Sequence, residues 1–505
     1  MDFPDAQTTP ARPAHGLAAA LLAAAAMALY AWVLASHAGA VAGGSDSSGY
    51  MNHARLLASG NLHVQPRAIA GLPQASAAPY LYVPLGFRPA PGGDGLVPTY
   101  PPGLSLLILA LEPIAGWRHA GDATIILHAL AGLLATYALG RSLSLERRWA
   151  ALAAAMVGLS PIYLYMSVQA MTDVPSLVWT TLAVVAALRS RVRPAWALAA
   201  GAALALDILL RPANVLAFLP VAVALGASPR RWSLVACGGL PGAAFFFAHN
   251  LAAYGRFAET GYGDVWVNFA AAYVPGSLRL YARWLPALFT PLIVLGLGLP
   301  WLPSESLRTR WLLAAWILAY AAFYAPYYCT QEVWWYLRFL LPAAPAMAVA
   351  GLLVLRALLG RVAGRAARQW LFAAAVVLVL AGSLRVTRSL HALSVGRTEL
   401  VYPDLAEWMQ KNVPRDAVCL SMQATGALFY YTDFTFLRWD FVDRGNLAQV
   451  ESALRKSGRP LYAVLFPFEY NESRLPQSAM PGRWTEVGGV SYVRILRRDP
   501  DAPRP

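Results

Sequence analysis

Stretches of 15 to 25 residues without a single charge recur through the first 390 positions of this 505-residue chain, and nothing else in the sequence narrows its fold so far. An apolar run of about 20 residues is the length of a helix that crosses the hydrocarbon core of a bilayer. Lipid offers no hydrogen bonds to an open backbone, so such runs must be helices or strands of a closed barrel. Runs this long and this apolar are helices. Only 13% of the residues are charged, 58% are hydrophobic, and the mean hydropathy is +0.47. That composition excludes an ordinary soluble enzyme and predicts a mainly α, polytopic membrane helix bundle.

Lys and Arg outnumber Asp and Glu 40 to 26, and all but Lys411 and Lys456 of the basic residues are arginine. They do not form one basic surface, so nucleic acid is not an expected partner. They fall instead in short clusters between apolar runs: Arg141/Arg147/Arg148, Arg189/Arg191/Arg193, Arg230/Arg231, Arg308/Arg310 and Arg356/Arg361/Arg365/Arg368. Clusters of this kind mark cytoplasmic loops. Twelve uncharged runs (17–36, 103–111, 123–140, 149–172, 174–188, 195–206, 212–229, 232–248, 284–303, 311–331, 339–355 and 369–384) can satisfy that rule, with Arg12 also inside, only if one early run does not cross. The weakest is 103–117, which is short and carries Glu112; it is expected to be an interfacial or re-entrant helix. About eleven transmembrane helices result, with Leu17–Ser36 retained as the first.

This count puts the long loop 37–121, the turn around Asp173, loops 249–283 and 329–337 and the region after about 389 on the outer side of a bacterial cytoplasmic membrane. Residues 1–394 then form the membrane module, and 395–505 a small extracytoplasmic α/β domain. In the latter, residues 404–413 read as an amphipathic helix, 417–422 and 461–466 as short apolar strands, and 490–496 alternates as an edge strand would. Pro84–Gly95 reads as an irregular loop. Cys237, Cys329 and Cys419 make neither a disulfide framework nor a zinc spacing, and no nucleotide-binding glycine pattern follows a strand, so no metal and no cofactor is expected.

The chemistry-bearing residues gather on the outer face. Asp46 lies in a Gly/Ser turn just after the first span, ahead of a helix with Tyr50, Ala54 and Leu57 along one stripe; a helix cap is the plain alternative to a reactive carboxylate. Asp173, just before Pro175, has the same two readings. Arg211 interrupts apolar sequence and needs an anion, with Asp207 one helical turn earlier as the simple partner. Arg338 sits among Trp334, Trp335 and Tyr336, either as a snorkelling belt residue or as a clamp whose guanidinium fork fits two phosphate oxygens. His53, Tyr100, His249, Asn250 and Tyr262 are weaker signals on the same side.

Taken in order, Asp46 with Y-x-x-x-A-R-L-L-A-S-G (50–60), YPPG (100–103), SP…TDVPS (160–176), LLRPAN (209–214), AHNLAAYGRFAETGYG (248–263) and WYLRFLLPAAP (335–345) resemble the GT-C membrane glycosyltransferases, closest to the bacterial protein O-mannosyltransferase and aminoarabinose-transferase group. The resemblance covers residues 16–390. It implies an inverting transfer of a hexose or pentose from a polyprenyl-phosphate donor to an envelope lipid, glycan or protein. Asp46 would be the general base, and Asp173 would orient the base or the acceptor. Some relatives carry an adjacent acidic residue where this chain has Ser47. A lipid phosphate leaves as a stable anion, so one base suffices, and Arg338 with Arg211 would hold the growing charge. Tyr50, His53, Tyr100, His249, Asn250, Tyr262 and Trp335 are the substrate-side candidates. The alternative is a secondary transporter or flippase of a lipid-linked or anionic substrate, which would be expected to show repeated halves or paired broken helices; no internal repeat is seen.

Overall fold

The computed structural model of the protein describes residues 13–39, 41–70, 72, 79–93, 95–471 and 479–499. Arg12, which the charge count uses for the N-terminal side, lies outside them. The first part of the chain is a helix bundle: α1 (Pro13–His37), α2 (Asp46–Ala58), α3 (Pro102–Ser142), α4 (Arg147–Gly158), α5 (Pro161–Met166), α6 (Asp173–Arg189), α7 (Trp196–Leu210), α8 (Phe218–Leu225), α9 (Pro229–Tyr254), α10 (Val274–Leu288), α11 (Leu307–Tyr324), α12 (Ala344–Gly360) and α13 (Arg365–Ser389). Its interior is packed by side chains such as Met156, Leu177, Val184, Trp316 and Leu337, all completely or almost completely buried. The protein is a multi-pass membrane protein.

Five helices among the described residues are long and apolar enough to cross a bilayer, or six if one bent pair is a single span. The expected eleven crossings therefore do not follow from helix length alone, and the shortfall has identifiable causes. The run 149–172 is interrupted at Ser160, whose hydroxyl accepts from the Tyr163 N–H as Pro161 opens α5. The run 284–303 is not a straight span: α10 ends at Leu288, Thr290 takes φ 69°, and the 3-10 helix Pro291–Trp301 leaves at 112°. Uncharged sequence was the wrong guide here because Pro286, Pro291 and Pro300 remove helix donors without adding charge. The segment 103–117 is a separate piece of α3, which turns at Gly116 (φ 68°, ψ 161°).

Two strands stand in the loop between α2 and α3, where an irregular stretch was expected: β1 (Phe87–Pro89) pairs antiparallel with β2 (Leu96–Pro98). The prolines end both strands and concealed them in the sequence. The hairpin fixes where the chain enters α3. Pro101 and Pro102 start that helix, and Tyr100, held at the turn, lies across α2 at Gly49, where any side chain would meet the Tyr100 ring.

After α13 the chain forms α14 (Val395–Thr398), α15 (Val401–Asn412), α16 (Thr425–Tyr431) and α17 (Leu447–Ser457) around a five-stranded sheet. The order is β4 (Thr435–Leu437), β3 (Val418–Leu420), β5 (Leu461–Leu465), β7 (Val493–Arg498), β6 (Trp484–Val490), with the first three parallel and the last two antiparallel. β3 and β5 are buried at every residue, as parallel strands covered on both faces must be. The strand read as an edge, β7, is an inner one. Its alternation reports which face each side chain takes, not how many neighbours the strand has, and the polar, glycine-containing β6 covers it.

One face of this sheet packs on Leu405, Met409 and Leu428 of α15 and α16. The other is filled by Val450 and Leu454 of α17 together with Ile69, Leu72, Leu81 and Tyr82 of the loop between α2 and α3. The sheet's second core is therefore shared with the loop that leaves α2. Further ties reach α2 and the segment before it: Asn52 Nδ2 donates to the Gly426 carbonyl (3.1 Å), Arg55 to the Tyr430 carbonyl (2.6 Å) while stacking on the Tyr430 ring, and the Ala42 N–H to the Tyr431 hydroxyl (2.8 Å).

Candidate active site

Asp46 is the first residue of α2, but its side chain caps nothing. Neither Ser45 nor Asp46 makes a side-chain cap bond at this helix start. One carboxylate oxygen accepts from the Tyr100 hydroxyl at 2.5 Å and the other from Arg338 Nη2 at 3.1 Å. Tyr100 also meets the Ser45 hydroxyl at 2.8 Å. Burial and the Asp46 charge push the Tyr100 phenol well above its usual range, so it remains a protonated donor. Asp46 keeps 30% of its side chain exposed while Arg338 keeps 16%, so the carboxylate is the more open end of the pair.

Asp173 is its sealed counterpart at the first turn of α6, with no exposed side-chain surface. Its Oδ1 accepts from Arg211 Nη2 at 2.9 Å, and its Oδ2 stands 3.9 Å from Arg338 Nη1. Asp173 thus lies between the two guanidiniums, and Arg338 lies between the two carboxylates. Arg211 also donates to the Thr172 hydroxyl at 3.0 Å.

The pairing expected for Arg211 does not form. Asp207 would face Arg211 if α7 continued, but Pro212 disfavours the helical conformation in the residue before it, and Arg211 is extended (φ −153°, ψ 113°). The guanidinium swings to Asp173 instead. Asp207 is satisfied elsewhere, by the Thr180 hydroxyl at 2.5 Å and Asn214 Nδ2 at 2.7 Å.

Phe339 and Tyr324 complete the cluster, and the sequence reading missed both. The two guanidinium carbons lie 5.3 Å (Arg211) and 5.2 Å (Arg338) from the Phe339 ring centroid, within cation–π range. Tyr324 stacks on Phe339 at 5.0 Å. Phe339 follows Arg338 directly and carried that much signal; Tyr324, on α11, carried none. Two carboxylates and two guanidiniums balance one another, yet Arg211 Nη1, Arg338 Nε and Asp173 Oδ2 are buried without a hydrogen-bond partner. Buried charged donors left unpaired are costly, and here two of them belong to the two arginines of one cluster. Such N–H groups are suited to an anionic oxygen ligand.

The other candidates divide. The Tyr50 ring lies 4.9 Å from that of Tyr100, and the Tyr262 ring 6.0 Å from it. His53 and His249 face each other with their Nε2 atoms 3.3 Å apart, and burial, with His249 beside it, lowers His53 to about 3, so it is neutral at ordinary pH. Asn250 instead secures the loop after α9 through the Phe257 carbonyl at 3.3 Å. Trp335 is not brought into the cluster; its ring contacts are Trp334 and Tyr336. Among the described residues no three His, Cys, Asp or Glu side chains gather into a set that would hold a metal ion.

No protein-family profile and no curated protein matches the sequence. Solved structures do match the fold. ArnT from Cupriavidus metallidurans, bound to undecaprenyl phosphate, aligns with a TM-score of 0.61 at 14% identity over 96% of this chain and 99% of that one. The oligosaccharyltransferase AglB of Archaeoglobus fulgidus, in complex with an inhibitory peptide and a dolichol-phosphate, aligns at 0.53 with 12% identity over 89% of this chain and 70% of that one. The arabinofuranosyltransferase AftD from Mycobacteria aligns at 0.54 with 14% identity over 95% and 40%. The fold is GT-C-like.

Proposed function

We propose that the protein is an inverting glycosyltransferase that moves a monosaccharide from a polyprenyl-phosphate donor to a hydroxyl of an envelope acceptor at the outer face of a bacterial cytoplasmic membrane. The observation that carries the reading is the partly open Asp46 carboxylate hydrogen-bonded to Arg338, whose Nε, with Nη1 of the neighbouring Arg211, has no partner. A base and an anion clamp side by side are the two groups this reaction needs. Asp46 takes the acceptor proton as the acceptor oxygen bonds to the anomeric carbon. The bond from that carbon to the phosphate oxygen breaks on the opposite face, and the electron pair leaves with the phosphate. The orphan N–H groups meet that growing charge. Asp173 holds both arginines in place, and the rings of Phe339 and Tyr324 keep them from turning outward. The lipid phosphates bound by ArnT and AglB, which have the same fold, support the donor class. Under this reading the sheet beyond α13 lies on the outer side, over the site.

Purified full-length protein, incubated with a panel of undecaprenyl-phosphate-linked hexoses and pentoses, is expected to release undecaprenyl phosphate from one of them. Movement of a labelled lipid across vesicles with no covalent change, in place of release, would replace this reading with transport. Cysteine labelling tests the orientation. A reagent that cannot cross the membrane should reach single cysteines at 116 and 450 but not at 145, and labelling at 145 from outside would reverse it.

A further inference from the structure

Away from the Asp46 cluster, an apolar groove of about 340 Å³ runs between α7 and α9. The two helices lie side by side with their starts at the same end. A side chain at Gly238 would meet the Leu198 carbonyl, one at Gly201 the Val235 carbonyl, and one at Gly242 the Ala205 methyl. Bare backbone at these positions lets the helices touch, and Gly239 and Gly242 give the groove a low floor. Leu204 and Ile208 of α7, Phe218 of α8 and Phe246 of α9 wall it, while Ala236 and Leu240 are exposed along its rim. Its lining on α9 runs from Val235 to Phe247, about 18 Å at the helical rise. That is the reach of one phospholipid acyl chain.

The end at which both helices start is basic. Arg189 closes α6, Arg191 and Arg193 stand in the turn before α7, and Arg230 and Arg231 lie in the first turn of α9. Between Val174 and Ala258 the only acid is Asp207, which is held by Thr180 and Asn214 near the other end of α7. Among the described residues none of these five arginines has a carboxylate partner or a side-chain hydrogen bond, and Arg231 Nε is buried without an acceptor. Arg189 stacks on Trp196, 5.1 Å from its ring centroid, and the Trp232 indole donates to the Gly226 carbonyl at 3.1 Å. Tryptophans beside arginines at the ends of apolar helices mark the headgroup level of a bilayer. Val235, where the groove begins, is one helical turn deeper than Arg231.

The opposite end of the groove has no such charge. It closes on Phe246 and Phe247, and Arg211, at the far end of α7, is turned to Asp173. We infer that the α7–α9 groove binds one anionic phospholipid, with its acyl chain along the groove and its phosphate at Arg230 and Arg231. Cations at one end only, without acids to neutralise them, select this occupant over the polyprenyl donor, whose phosphate belongs at the opposite membrane face under the reading above. The inference does not depend on Asp46 being the base.

The test uses the full chain in detergent, mixed with palmitoyl-oleoyl phosphatidylglycerol or with phosphatidylcholine of the same chains. Bound lipid is counted by native mass spectrometry, and thermal unfolding is followed alongside. Phosphatidylglycerol should persist as one tight adduct and raise the melting temperature, and phosphatidylcholine should do neither to the same degree. An arginine near an anionic headgroup contributes about fivefold, so Arg230→Gln/Arg231→Gln should weaken phosphatidylglycerol retention by roughly 10- to 25-fold and erase the preference. Ala236→Trp, at an exposed rim position that tolerates a larger side chain, should remove the tight adduct with every arginine intact. Arg147→Gln/Arg148→Gln, a basic pair outside the groove, should retain phosphatidylglycerol as the parent does. Equal retention of the two lipids by the parent, unchanged retention in both groove variants, or an equal loss in the Arg147/Arg148 pair would overturn the inference. So would undecaprenyl phosphate being lost from Ala236→Trp while phosphatidylglycerol stays, since the groove would then hold the donor's tail.

Discussion

Asp207 and Asp173 are both completely buried carboxylates on neighbouring helices, and they are wired in opposite ways. Asp207 spends its oxygens on neutral donors, Thr180 and Asn214, and ties α6, α7 and the segment after α7 together. Asp173 faces two guanidiniums and keeps one oxygen without a hydrogen bond, and each of the two arginines keeps a buried N–H idle. A buried carboxylate with both oxygens spent on neutral donors specifies a fold, although Asn214 Oδ1 beside it keeps no partner. A cluster of charged groups with idle donors bears a cost that is met when a ligand supplies the missing oxygens. What sets the Asp173 cluster apart is that the idle donors belong to two arginines facing the same carboxylate; burial alone does not distinguish it.

The contrast between the two networks is most exposed to Asp46→Asn, which keeps size and a Tyr100 partner but removes basicity. Single-turnover transfer should fall by about 10²–10⁴, with undecaprenyl phosphate binding and thermal stability close to the parent's. Transfer within a few-fold of the parent would make Asp46 structural and leave Asp173 as the base candidate. Next, Arg338→Ala should weaken undecaprenyl phosphate binding by roughly 10- to 100-fold, the worth of a charge-assisted hydrogen bond. Arg338→Lys should recover only part, since it restores charge without the fork. Equal affinity in all three proteins would return Arg338 to an interfacial role.

Asp207→Asn should show the reverse signature. Transfer should stay within about threefold, while unfolding shifts to lower temperature by the equivalent of about 1–3 kcal/mol, because one oxygen that now accepts would become a donor. Loss of transfer without loss of stability would merge the two networks into one. The smallest effect concerns Glu399, the residue after α14, whose carboxylate lies against Gly43. Burial raises its folded-state proton affinity, so it favours the fold below its ordinary range near 4.5 and costs stability as pH rises through about 7. Glu399→Gln should therefore melt slightly above the parent at pH 8, by on the order of 1 kcal/mol once solvent screening is allowed for, and level with it in acid. A lower melting point at pH 8 would mean that the carboxylate has a stabilising partner.

The helices were legible because each is written in its own residues: apolar length, the Gly/Ser turn before Asp46, Pro175 after Asp173, Pro102 at the start of α3. The same locality explains the misreadings. Uncharged sequence hid the break at Thr290, prolines hid the β1–β2 hairpin, and alternation in β7 could not report that β6 lies outside it. Asp46, Asp173, Arg211 and Arg338 were all legible as polar groups expected at one membrane face, each with a plain structural alternative, and Arg211 as one that needs an anion or an interface.

Their connections were not. The residues alone dictate a helical bundle in lipid, the set of charged groups to be reconciled within it, and, through Pro212, that Arg211 leaves the helix. It took the packed bundle to bring Arg211 to Asp173 across 38 residues, Arg338 to Asp46 across 292, and Glu399 to rest on Gly43. The division is one of range. Periodicity, turns and caps act over a helical turn or two, whereas the partner of a buried charge is chosen by which helix faces pack together, and that is a property of the assembled bundle.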